Sequence, residues 1–144
     1  MSGRHFLDTN ILIYAIDLSA SDAEKHRIAK AIVLDPTAII STQVLGEFYT
    51  AATSARRTSP LTPDEAAAWV QFWKKLSVES ITTPHVNLVL EIAKRYQVSY
   101  NDGLILAAAR LANCAEVLSE DLNASQDYGG VRVRNPFAAT GARA

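Results

Sequence analysis

The chain has one cysteine, Cys114, in 144 residues, so no intrachain disulfide can form, and this fits a reducing compartment. A lone cysteine is most often a small buried apolar group, and no catalytic role is expected of it. No apolar run approaches the roughly 20 residues of a membrane span. The stretch MSGRHFLDTNILIYAI starts with positive charge, but Asp8 and Asn10 interrupt the unbroken apolar segment that a signal peptide needs. A soluble, cytoplasmic protein without membrane association is expected. An excess of one charge is also missing: 14 Lys and Arg against 15 Asp and Glu leave a net charge of −1. Any hold on nucleic acid must therefore come from local charge or a metal. There is no internal repeat, no low-complexity segment and no GxxxxGK, which excludes a phosphate-loop NTPase. His5, His26 and His85 are scattered without metal-ligand spacing and read as structural or exposed residues.

What is present is one domain's worth of chain, 49% hydrophobic, with short β-rich runs alternating with longer helical ones. Strands are expected at His5 to Asp8, Ala38 to Ser41, Val78 to Ile81, Glu116 to Ser119 and Val131 to Val133. Helices are expected between them. Ser21 and Glu24 have capping-box spacing, and Ile28, Ala29, Ala31 and Ile32 form a stripe that Asp35-Pro36 ends. Val44, Leu45, Phe48 and Ala52 share a face of the next helix, with Glu47 on its flank. Thr62-Pro63-Asp64-Glu65 supplies a cap, a first-turn proline and a capping-box Glu for a helix carrying Trp69, Phe72 and Trp73, which read first as core and second as a partner surface. Thr83-Pro84 opens a helix to Tyr96. The helix from Asn101 to Asn113 has almost no polar face and should be central. Such alternation predicts a parallel sheet with helices on both faces, whose ligands bind outside the carboxyl ends of the strands.

Four acids can project over that edge of the sheet: Asp8 and Asp121 at or just after strands, Glu47 in the second turn of a helix leaving a strand, and Asp102 in the first turn of the buried helix. Singly, each has an ordinary reading as a helix cap, a first-turn acid, a solvated helix residue or a turn. Together they would repel one another unless a cation or bound protons neutralise them. Hard oxygen ligands of this kind suit Mg²⁺ or Mn²⁺ rather than Zn²⁺. A divalent ion so held can acidify a water and neutralise charge on a phosphodiester, with no side-chain nucleophile required. Thr9, Asn10, Ser41 and Ser119 can orient the carboxylates, or can serve equally as turn and cap residues.

The blocks FLDTNILIY, STQVLGEFY, SYNDGLILAAA and VLSEDLNASQDYGGVRVRNPF closely resemble the PIN domain and, within it, the VapC toxins of toxin–antitoxin pairs. The resemblance runs from about Phe6 to Phe137 with the blocks in the family's order and spacing. It implies a three-layer α/β fold over 1–137, a flexible tail at 138–144, and a metal-dependent endoribonuclease. The site residues it implies are Asp8, Glu47, Asp102 and Asp121, holding one or two Mg²⁺ or Mn²⁺. It further implies hydrolysis leaving a 5′-phosphate and a 3′-hydroxyl, a homodimer, and an antitoxin whose tail competes for the acidic cleft. Glu120 falls on a variable position. Asn101 stands where many relatives have an aromatic residue, which bears on substrate preference and leaves the ligand intact.

Arg56 and Arg57, in the loop ARRTSPLTP, are the preferred RNA contacts among several basic pairs. Two other readings compete. A haloacid-dehalogenase-like phosphatase needs a second Asp two residues after the first, where Asn10 stands. A PIN fold with a weak or inactive site, acting through a protein or RNA partner, is the stronger rival.

Overall fold

Five short strands form one parallel sheet in the computed structural model, which describes residues 3–124 and 126–138. They are β1 (His5–Leu7), β2 (Ala38–Ser41), β3 (Ser77–Glu79), β4 (Glu116–Leu118) and β5 (Arg132–Arg134), in the order β3-β2-β1-β4-β5. The helices are α1 (Thr9–Ile16), α2 (Ala23–Val33), α3 (Thr42–Ala52), α4 (Pro63–Trp73), α5 (Thr83–Tyr96) and α6 (Tyr100–Leu111). From β1 the chain steps outward through β2 to β3, then crosses back past β1 to β4. Because parallel crossovers are right-handed, α1 to α4 cover one face and α5 with α6 the other. The packing agrees: α1 contacts α2 and α3, α3 contacts α4, and α5 pairs with α6. The expected α/β architecture, a parallel sheet between two helical layers, is the one observed.

Burial explains the strand sequences. All four β2 residues are buried, as are Phe6, Leu7, Val117 and Leu118, as a strand covered on both faces requires. At the edge, β5 alternates, with Val133 inward and Arg132 and Arg134 outward. In α6 every residue from Gly103 to Ala109 is buried. Gly103 lets α5 and α6 close up, since a Cβ there would lie 3.2 Å from Val89 Cγ1. Trp73 is buried edge-on to Phe48, with ring centroids 5.8 Å apart.

Several local expectations are corrected. Ser21 and Glu24 do not form a capping box: a 3₁₀ turn at Ala20–Asp22 precedes α2, Asp22 occupies the cap, and Glu24 pairs with Arg27 instead. Ala31 is exposed, and Ala29 with Val33 carry the buried stripe. The third strand ends at Glu79, before Ile81, and the fifth is shifted one residue to Arg132–Arg134. Helix α5 is capped by Thr82 rather than Thr83; His85, buried below it, accepts the Thr82 N–H at Nδ1 (3.0 Å) and meets Glu79 at Nε2 (3.0 Å). The aromatic cluster is divided, with Trp73 in the core, Trp69 half-buried and Phe72 exposed. The Thr62 capping box with Glu65 and Pro63 forms as expected. Cys114 is buried, which pushes its thiol up to about 11 and leaves it inert. The expected tail, apart from Ala138, lies outside the described residues.

Candidate active site

The chain reverses its direction of winding between β1 and β4, and the carboxyl ends of those two strands lie side by side. Such a switch point opens a crevice in a doubly wound sheet. Asp8 follows β1 and its N–H donates to the Leu118 carbonyl at 3.0 Å, fixing the two strand ends together. Its backbone is extended and its side chain caps α1, with Oδ1 accepting from Thr9 N–H at 2.7 Å. Oδ2 accepts from the Ser119 hydroxyl at 2.7 Å. Both carboxylate oxygens are thus aimed by the backbone and by a residue just after β4. Only 7% of Asp8 is exposed.

The other acids arrive from separate elements. Glu47 leaves the flank of α3; its Oε1 accepts from the Thr9 hydroxyl at 2.7 Å and its Oε2 from Gln43 Nε2 at 3.0 Å. Asp121 is exposed, two residues beyond Ser119, and its Oδ2 accepts from Asn10 Nδ2 at 3.0 Å. The Ser119 hydroxyl accepts from Asp121 N–H at 3.0 Å and Leu122 N–H at 3.3 Å while it donates to Asp8. Asp102 lies half-buried in the first turn of α6, its N–H capped by Ser99 Oγ at 3.1 Å. Gln43 Nε2 reaches the carbonyl of the preceding residue, Asn101, at 3.1 Å, tying the start of α6 to α3 beside Glu47.

Charge and burial act together on Asp8. Burial is the main cause that raises its carboxyl from 3.8 to about 6; the hydrogen bonds from Ser119 and Thr9 oppose the rise, and the charges of Asp121 and Glu47 add to it. Asp8, Glu47 and Asp121 therefore share one electrostatic neighbourhood. Asp102 raises the pKa of buried Tyr128, where burial is the larger cause.

Of the four hydroxyl and amide residues expected to orient carboxylates, Thr9, Asn10 and Ser119 each hydrogen-bond one. Ser41 instead caps α3, accepting from Val44 N–H at 3.2 Å. Asp127 serves its loop, accepting from Gly130 N–H at 2.7 Å. Arg56 is exposed, and Arg57 bonds the Ser59 carbonyl at 3.0 Å. Arg57 also helps lower the pKa of Asp17, for which backbone and side-chain hydrogen bonds from Ser19 are the larger lowering causes. Asp17 ends α1, and α1 begins at Asp8, so about 12 Å of helix separates that end from the carboxylates. Sequence reasoning missed Gln43 and the anchoring of Glu120 by Tyr14 and Lys25. The signal for Gln43 was its i, i+4 spacing to Glu47 within STQVLGEFY.

The family model of the PIN domain matches residues 5–127. The chain belongs to the PIN domain family. No curated protein matches it by sequence. Its fold is similar to that of a toxin–antitoxin complex from Klebsiella pneumoniae, at 20% identity and a TM-score of 0.67 over 92% of this chain and 97% of that one. It is similar to a sarcin-ricin loop cleaving VapC toxin of Mycobacterium tuberculosis, at 21% identity and 0.63 over 81% and 91% of the two chains. A DNA-bound VapBC complex from Salmonella typhimurium gives 21% and 0.62 over 92% and 98%.

The donor set of this PIN domain fits a hard divalent cation. It is all oxygen, and Asp8 is held largely out of water beside two other carboxylates, a state that positive charge relieves. Hydrogen bonds from Thr9 and Asn10 hold Glu47 and Asp121 individually, and among the described residues no three His, Cys, Asp or Glu side chains form a ready-made cage. No helix is long and apolar enough to cross a membrane, among the described residues.

Proposed function

We propose that this PIN domain is a metal-dependent endoribonuclease of the VapC type, the toxin of a toxin–antitoxin pair, acting in the cytoplasm as one domain over residues 1–137. The observation that carries this reading is the buried Asp8 carboxylate at the β1–β4 switch point, fixed by Ser119 and Thr9 and in the field of Glu47 and Asp121. Asp8, Glu47, Asp102 and Asp121 would hold Mg²⁺ or Mn²⁺. When bound, the ion supplies Lewis acidity that activates water and neutralises charge on the scissile phosphate.

The residues of the chain supply the rest. Ser119 and the Thr9 N–H keep both Asp8 oxygens directed, so little reorganisation is needed when a cation arrives. The Thr9 hydroxyl and Gln43 do the same for Glu47, and Asn10 for Asp121. A water adds to the phosphorus and the 3′-oxygen leaves with a proton, which gives a 5′-phosphate and a 3′-hydroxyl; the RNA 2′-OH takes no part. Arg56 and Arg57, beyond the far end of α1, contact the RNA backbone away from the cleaved bond. A protein antitoxin covers the acidic crevice, and the chain acts as a homodimer. The complexes among the structural relatives support the antitoxin.

The test is cleavage of structured RNA by the purified chain in Mg²⁺ or Mn²⁺, with a chelator and Asp8→Asn as controls and sequencing of fragment ends. Discrete fragments with 5′-phosphates that vanish in both controls are expected. Intact RNA, with metal binding still detected by calorimetry, would instead favour a PIN fold that acts through a partner.

A further inference from the structure

Gln43 is placed where it joins two parts of the carboxylate site. Its Nε2 donates to Glu47 Oε2 at 3.0 Å and to the Asn101 carbonyl, 58 residues away, at 3.1 Å, so both amide hydrogens are used. Both partners are acceptors only. Turning the amide over would set Gln43 Oε1 against a carboxylate and a carbonyl oxygen, so the partners fix its orientation. That leaves Oε1 committed to the other side of the amide. There it is buried and accepts no hydrogen bond from the described residues. A buried acceptor without a donor costs free energy, and here the cost is carried by the side chain that bonds Glu47 and the residue before Asp102.

Glu47 is held from the opposite direction as well, since Thr9 bonds its Oε1. Gln43 and Thr9 together leave Glu47 little freedom, and Gln43 alone couples it to the first turn of α6. The Gln43 Oε1 faces away from both partners and is sealed from solvent, so what Gln43 supplies is the tie between α3 and α6 and not a contact to water. Apolar residues at position 43 would fill the same helix position without either bond.

We propose that Gln43 is a positioning residue of the metal site: by bonding both the Glu47 carboxylate and the Asn101 carbonyl it sets Glu47 against the start of α6. This rests on the metal-binding part of the nuclease reading above.

Titration calorimetry with Mn²⁺ and with Mg²⁺ on the full chain tests it, using wild type, Gln43→Leu and Thr62→Ala. Thr62→Ala removes the α4 cap and touches none of the carboxylates, so it reports how far affinity falls from lost stability alone. Gln43→Leu should weaken metal binding by about tenfold or more, as loss of an outer hydrogen-bond partner typically does, while Thr62→Ala stays within about twofold. The electron paramagnetic resonance spectrum of bound Mn²⁺ should also change in Gln43→Leu and not in Thr62→Ala, because only the first frees Glu47. Should Gln43→Leu not fold, Gln43→Met, which is closest in shape, carries the same expectation. A folded variant that binds Mn²⁺ as tightly as wild type overturns the inference and leaves the nuclease reading standing. No Mn²⁺ binding by the wild type overturns both.

Discussion

Asp8→Asn should remove a pH-dependent cost that the chain carries when no divalent cation is bound. Burial raises the folded-state carboxyl from 3.8 to about 6. Below about pH 4 the group is protonated in both folded and unfolded chains, and the cost is absent. As the pH rises through about 6, the unfolded chain has already released its proton, and the fold loses stability until the folded group has ionised too. The rise from 3.8 to about 6 is worth about 3 kcal/mol, at about 1.4 kcal/mol for each tenfold change in acidity. An asparagine carries no such charge, but its amide nitrogen cannot accept one of the two hydrogen bonds from Thr9 N–H and Ser119 Oγ, at a cost of about 1 kcal/mol at every pH. The variant should therefore be less stable than wild type by about 1 kcal/mol near pH 4 and more stable by about 2 kcal/mol near pH 7.5. Urea unfolding in chelator, followed by tryptophan fluorescence across this range, measures the difference. Groups common to both proteins cancel in the difference. A swing under about 1 kcal/mol, or one of opposite sign, would refute burial as the control on Asp8. Saturating Mg²⁺ should reduce the wild-type loss, because the ion binds the ionised carboxylate and binds it only in the fold.

Three further outcomes are expected. Glu47→Gln and Asp102→Asn should each lower RNA cleavage by about 100-fold or more, as removal of a proposed metal ligand should cost at least as much as loss of an outer partner, while urea midpoints stay near wild type. Arg56→Ala and Arg57→Ala should each flatten the dependence of log affinity on log salt for single-stranded RNA by about 0.7, measured by filter binding. An unchanged slope would remove both from the substrate path. Gly129→Ala should lower stability by about 1–2 kcal/mol, because φ there is +68° and the added Cβ would lie 3.2 Å from Arg110 Nη1.

Much of the scaffold was legible because burial in a parallel sheet leaves a simple signature. Short buried runs such as AIIS, and a helix apolar on every side such as Leu104 to Ala109, admit few other places in an α/β fold. The strong cap at Thr62 was legible for the same reason, since Pro63 and Glu65 all favour one local geometry. The Ser21 cap failed because Glu24 had a competing partner in Arg27, a choice that local spacing does not decide. Trp69, Phe72 and Trp73 share a helix and an aromatic character, yet only packing against Phe48 decided which of them is core.

The sequence by itself determined which carboxylates exist, that Asp8 and Asp121 lie just past strands while Glu47 and Asp102 lie in the first turns of helices, and that their oxygens suit a hard cation. Strand order decided the rest. It is the pairing of β1 with β4 that brings Ser119 to within 2.7 Å of Asp8 across 111 residues, and the packing of α1 on α3 that lets Thr9 reach Glu47 across 38. No periodicity encodes such contacts, because they depend on the relative placement of whole elements. The raised pKa of Asp8 likewise belongs to the tertiary structure, for it comes first from burial, and burial is a property of everything packed around a residue.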